Sequence, residues 1–175
     1  ITCAKGLTSA YLPLGAMIFS DRMYEVLSDS EDRWFTGGYT YSGHPVCCVA
    51  ALKNIEIMER EKIFDNVREV GGYFLQQLQT LLDLPIVGDI RGMMFMMCVV
   101  NVMDKTTKEF FPPEVNIGKR ISTHAEELGL IVRPAADLNI LSPSLTMSRE
   151  DVDYLIPRLR QAIEMTLVDL RAEGH

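Results

Sequence analysis

Apolar positions change their period along this chain, and the changes divide it into elements. Residues 1–20 alternate short apolar runs with turn residues. Residues 1–4 read as the end of a strand, Tyr11-Leu12-Pro13-Leu14-Gly15 as a turn, and residues 16–19 as a short buried strand. A helical piece is expected over 21–27, followed by a polar, glycine-containing loop over 28–43 that holds Trp34. Pro45 suits a first helical position because it has no N–H to leave unsatisfied, and the helix it opens should reach about residue 61. Between Val46 and Leu52 that helix is apolar nearly all round, which predicts burial on every side.

The second stretch is more regular. Val67, Val70, Phe74, Leu78 and Leu81 recur at steps of three and four, so residues 64–82 predict a helix with one wet face. Residues 86–102 predict strands around Arg91-Gly92, with 93–100 a strand buried on both sides. Residues 103–113, rich in Thr, Lys and Pro, form a loop. Ile117, Ile121, Ala125 and Leu128 mark a further amphipathic helix. Residues 130–133 and 139–141 are expected to be short strands flanking a turn at 134–137. Ser148 should cap the last helix with Asp151 answering three residues on. Its inner face carries Val152, Leu155, Leu159, Ile163, Leu167 and Leu170. Pro157 should kink it, because its ring nitrogen cannot bond back to the carbonyl of Asp153. The expected fold class is α/β, with about five helices and several short strands.

Composition narrows the function. With 17 Lys plus Arg against 24 Asp plus Glu, the 175 residues carry a net charge of −7. Dispersed positive charge on an acidic chain argues against nucleic-acid binding, which needs clustered Lys and Arg. No run approaches the roughly 20 apolar residues of a membrane span. Cys3, Cys47, Cys48 and Cys98 contain no Cys-x-x-Cys pair and the three His lie far apart, which argues against a metal site. Cys47 and Cys48 read as small core residues. Ten Met and no disulfide spacing fit a reducing, cytoplasmic setting. Because position 1 is not Met and a strand is already under way there, the chain is expected to lack an N-terminal part.

Three segments could carry chemistry. In Ala4-Lys5-Gly6, small neighbours let a bulky group approach the Lys5 amine, whose neutral form attacks a carbonyl; a lysine beside a glycine is also a common solvated surface pattern. In Thr36-Gly37-Gly38-Tyr39-Thr40-Tyr41-Ser42-Gly43-His44-Pro45, a glycine-rich turn enters a helix, so backbone N–H groups and hydroxyls can meet an anion; an ordinary capped helix start is the plainer reading. Arg133, emerging from an apolar run before Pro134, offers a planar fork to a carboxylate, or simply pairs with Asp137.

Together these segments resemble the class III (omega) aminotransferases. Residues 4–16, Ala4-Lys5-Gly6-Leu7-Thr8-Ser9-Ala10-Tyr11-Leu12-Pro13-Leu14-Gly15-Ala16, resemble the family's cofactor-lysine segment. Thr40-Tyr41-Ser42-Gly43-His44-Pro45 resembles its phosphate-contact segment. Leu130-Ile131-Val132-Arg133-Pro134 with Leu141-Ser142-Pro143-Ser144-Leu145-Thr146-Met147 resembles its C-terminal domain. Order and intervals agree across essentially the whole chain. The resemblance implies a fold type I enzyme that uses pyridoxal 5'-phosphate, works as a homodimer with shared sites, and can pair its dimers into tetramers. Residues 1–62 would end the large cofactor-binding domain, and 63–175 would form the small C-terminal domain with its linking helix 64–82.

The resemblance also assigns roles. Lys5 would hold the cofactor as a Schiff base and shuttle a proton. Thr40, helped by the backbone N–H of Tyr39, would bind the phosphate across the dimer. Arg133 would grip the carboxylate of a keto acid such as pyruvate while an amine or omega-amino acid gives up its nitrogen. Arg91-Gly92 is read as structural. Segments preceding the lysine in that family are absent, so these residues alone are expected to be inactive. A decarboxylating transaminase, an aminomutase and a non-catalytic folded remnant are the alternatives. A nucleotide-binding domain is disfavoured, since no strand–Gly-x-Gly-x-x-Gly–helix unit occurs.

Overall fold

A computed structural model describes residues 1–174, and their packing divides into two units, Ile1–Lys62 and Ile63–His175. In the first unit, β1 (Thr2–Cys3) pairs antiparallel with β2 (Ala16–Met17). A 3₁₀ turn over Lys5–Thr8 lies between them. Then come α1 (Asp21–Ser28), a loop holding one 3₁₀ turn at Glu31–Arg33, and α2 (Pro45–Arg60) with Pro45 in its first turn.

The expected all-round burial of α2 is not found. Cys47 and Ala51 are buried and Cys48 is half-buried, but Val46, Val49 and Leu52 are 59–67% exposed. An apolar circumference needs cover on every side, and a unit of 62 residues has too little chain to supply it.

In the second unit, α3 (Ile63–Gln79) runs into a 3₁₀ turn at Thr80–Asp83, burying Val70, Phe74, Leu78 and Leu81 as the three-four spacing predicts. Next come β3 (Val87–Met93), β4 (Met96–Asn101), α4 (Ile117–Glu127), β5 (Arg133–Ala135), β6 (Leu138–Leu141) and α5 (Arg149–Glu173). The strands form one antiparallel sheet in the order β3-β4-β6-β5. Met97 pairs with Leu141 and Val99 with Asn139, and all four are buried. Their neighbours Met96 and Cys98 are more exposed, the alternation of a sheet with one covered face. Every member of the main hydrophobic core, from Val70 to Leu170, belongs to this unit.

Residues 16–19 are not a buried strand: β2 ends at Met17, and Met17, Ile18 and Phe19 are exposed. Two further strand expectations need correction. Residues 93–100 are not one strand buried on both sides: Met94 and Phe95 make the turn of the β3–β4 hairpin, and Met93 and Met96 are exposed. Phe95 folds back edge-on to Phe74, with ring centroids 6.4 Å apart. A continuous apolar run does not mark where the chain reverses. Gly92 does mark the distortion beside it, at φ +134, where a Cβ would overlap the Met96 carbonyl. The second correction concerns residues 130–132, which precede the strand: β5 begins at Arg133 and includes Pro134, and the turn is at Ala136-Asp137. β5 lies at the sheet edge, where proline's missing N–H is tolerated.

The α5 cap forms as expected: Asp151 N–H donates to Ser148 Oγ at 3.2 Å and Ser148 N–H to Asp151 Oδ2 at 2.8 Å. The helix continues through Pro157, which is exposed. A buried polar chain ties sheet to helix. Asn101 Nδ2 donates to Asp137 O and Asn139 Oδ1, both at 2.8 Å. Asn139 Nδ2 donates to Gly118 O at 2.9 Å, and Ser122 Oγ to Val132 O at 2.8 Å. Such groups are tolerated inside because they are hydrogen-bonded.

Candidate functional site

Lys5 opens the 3₁₀ turn after β1 and adopts φ +51. Its side chain is exposed, and beside it the open face of Gly6 has no atom within 4 Å of where a Cβ would stand. The small residues therefore do what their size permits: a bulky group can reach the amine. The turn is fixed from below. Thr8, buried, donates its hydroxyl to Leu12 O at 2.5 Å. From α2, Asn54 Nδ2 donates to Gly6 O at 2.9 Å and Leu7 O at 3.2 Å, while Asn54 Oδ1 accepts from Ser9 Oγ at 2.8 Å.

Tyr39 and Thr40 lie in the exposed loop that enters α2. The Tyr39 N–H, expected to face an anion, donates here to Ser42 Oγ at 3.0 Å. Pro45 has no N–H, and the amides of Val46 and Cys47 at the helix start have no hydrogen-bond acceptor among the described residues. His44, the residue before α2, has its Nδ1 buried without a partner among the described residues. It lines a mainly apolar cavity of about 450 Å³ with Leu12, Leu14, Tyr41, Val46 and Cys47. The lysine turn is gripped at Asn54, about 14 Å of helix rise from the Pro45 end. Among the described residues no hydrogen bond joins Lys5 to Tyr39 or Thr40, although one helix organises both segments.

Arg133 belongs to the second unit. It is exposed at the start of edge strand β5, facing Ile140 in register. The plainer expectation, a pair with Asp137, is not met: among the described residues no ion pair engages the Arg133 guanidinium. Burial pushes the Asp137 carboxyl up. Arg91 instead is paired, Nε to Asp89 Oδ2 at 2.7 Å, which fits a structural part. The described residues contain no group of three or more His, Cys, Asp or Glu arranged to hold a metal, and no helix long and apolar enough to cross a membrane.

Asn54 and His44 were not singled out by the sequence reading. A polar amide in the middle of a strongly apolar helix was the available signal for Asn54. His44 gave none, because a residue preceding a helix is commonly polar. The donor set fits pyridoxal phosphate: an accessible primary amine for its aldehyde, and hydroxyl and backbone donors for its phosphate.

Residues 1–163 match the family model described as Aminotransferase class-III. An uncharacterised aminotransferase of Sinorhizobium fredii is 42% identical over 99% of this chain and 38% of its own length. A putrescine–pyruvate aminotransferase of Pseudomonas aeruginosa is 38% identical over 93% of this chain and 35% of its own. Among solved structures, an (S)-enantioselective omega-transaminase of Thermomicrobium roseum superposes with a TM-score of 0.89 at 42% identity, covering 95% of this chain and 37% of that one. The chain thus spans under two-fifths of the length of these relatives.

Proposed function

The chain belongs to the class-III aminotransferase family, whose members depend on pyridoxal phosphate, and from that premise we propose that the full-length protein is a transaminase. It moves an amino group from an amine or omega-amino acid to a keto acid such as pyruvate. Residues 1–62 end its large cofactor-binding domain and 63–175 form its small domain. It works in the cytoplasm as a homodimer with shared sites. The apolar row Val46, Val49 and Leu52, exposed in this chain, supports a structure in which further chain or a second copy covers α2.

Bound pyridoxal phosphate supplies an electron sink for the carbanion formed at the substrate carbon. Lys5 Nζ would hold it and, once free, would carry the proton at the substrate carbon. Thr40 Oγ1, helped by the Tyr39 N–H, would hold the phosphate of a second copy's cofactor. Arg133 receives the keto-acid carboxylate with its unpaired fork.

Lys5 carries this reading, because its left-handed turn leaves the amine open beside Gly6 while Asn54 and Thr8 hold the backbone. Kinetics of the full-length protein with an amine donor and pyruvate test it. Lys5→Ala should lose about a thousandfold or more in turnover. Arg133→Ala should raise the KM for pyruvate about tenfold and leave that for a simple amine within about twofold. Retained turnover in the first variant would remove Lys5 from the chemistry. Equal losses for both substrates in the second would make Arg133 structural.

A further inference from the structure

Lys5 sits in a conformation that its own sequence does not favour. Within residues 5–10 the left-handed positions are Lys5 at φ +51, Ser9 at φ +49 and Ala10 at φ +61, none of them glycine. Gly6, which could take such a conformation freely, does not. Non-glycine residues stay left-handed only where the surroundings over-determine them. Of the turn's own bonds, Leu7 N–H to Ala4 O is 3.1 Å, while Ser9 N–H to Gly6 O at 3.3 Å and Ala10 N–H to Lys5 O at 3.4 Å are longer.

At Gly6 O the shorter contact, 2.9 Å, comes from outside the turn. Gly6 O and Leu7 O can only accept, so a side chain that serves both must donate twice from one atom. Asn54 Nδ2 does this, at 2.9 and 3.2 Å, and the same requirement fixes its amide orientation, leaving Oδ1 for the Ser9 hydroxyl at 2.8 Å. An asparagine in the interior of α2 has no helical advantage, since Asn is a weak helix former. Its three bonds to residues 45 to 48 positions away give it a different purpose.

We propose that Asn54 is a positioning residue for Lys5: its double donation to the Gly6 and Leu7 carbonyls holds Lys5 in the left-handed turn that presents the amine to the cofactor. This rests on the reading of Lys5 as the cofactor lysine. Asn54 touches neither cofactor nor substrate in this assignment and acts only through the backbone. Asparagine is required because isosteric Asp cannot donate and would set a negative oxygen against two carbonyls.

The test uses the full-length apoprotein and pyridoxal phosphate. Three quantities are read: the rate at which protein-linked cofactor absorbance grows, the borohydride-trapped adduct at Lys5, and hydrogen exchange at the Ser9 and Ala10 amides. Asn54→Asp should slow capture about tenfold or more and speed exchange at both amides by a similar factor. Adding Ala10→Gly, which removes one left-handed penalty, should restore capture at least about threefold. A loss of helix packing alone would not respond to that rescue. Ser9→Ala, a milder change that keeps both carbonyl bonds, should slow capture about two- to threefold and guards against a misfolded Asp variant. Wild-type capture in Asn54→Asp, unchanged exchange at Ser9 and Ala10, or no rescue by Ala10→Gly would each overturn the positioning role while leaving Lys5 in place. A wild-type protein with no adduct at Lys5 would overturn both.

Discussion

Residues 63–175 bury Phe74, Leu78, Leu159 and Ile163 completely, whereas on α2 residues 1–62 bury only Cys47 and Ala51. Yet Lys5, Tyr39 and Thr40 all belong to the poorly buried unit, and only Arg133 of the candidate residues to the well-packed one. The second unit holds the main hydrophobic core, so its pattern can be read as a fold, although Met93, Met96 and Ile131 stay exposed. The first leaves Val46, Val49, Leu52, Trp34 and Phe35 exposed together with its candidate chemistry. Under the proposed function, that apolar surface beside the candidate chemistry is where further chain or a second copy would lie.

The contrast can be broken most directly by truncating an apolar side chain in each unit. Phe74→Ala should destabilise the chain by about 3–5 kcal/mol, read from denaturant midpoints. Leu52→Ala should cost under about 0.5 kcal/mol in the same chain, because Leu52 is already in solvent. Similar costs at the two positions would erase the distinction. Next in size is the cap of α5: Ser148→Ala removes the acceptor for Asp151 N–H and should cost about 1 kcal/mol, with the same assay as readout.

A further effect is pH-dependent. His124 on α4 meets Asp169 Oδ2 of α5 at 2.7 Å and Glu127 Oε2 at 3.3 Å. The hydrogen bond to Asp169 is the main force raising its pKa, opposed by partial burial and helped by Glu127. A folded pKa above the unfolded one, about 6.5, means the contribution is complete below that pH and is lost as pH rises through the raised value. Wild type should therefore exceed His124→Gln in stability most at about pH 5.5, with the gap closing toward pH 8.5. For a partly exposed pair the gap should stay near 1 kcal/mol or less. A gap that widens with pH would reverse the assignment.

Local signals made much of this structure legible. The period of Val70, Phe74 and Leu78 and the Ser148–Asp151 box located α3 and the start of α5, because each is decided within a few residues. The hairpin turn at Met94-Phe95 was hidden inside an apolar run that looks the same in a strand and in a turn. Exposure of α2 was hidden too, since burial depends on what chain is present to cover it. Among the candidate residues, Lys5 and Thr40 stood out through motif order. Asn54 did not, because its partner Gly6 lies 48 positions away and no spacing within the helix announces it.

Borohydride reduction of the full-length protein after incubation with pyridoxal phosphate, followed by peptide mass mapping, tests the central claim most directly. The expected result is a single pyridoxyl adduct on the peptide that contains Lys5, absent from Lys5→Ala. An adduct confined to another lysine, or none at all, would contradict it and leave the family fold without the chemistry assigned to this residue.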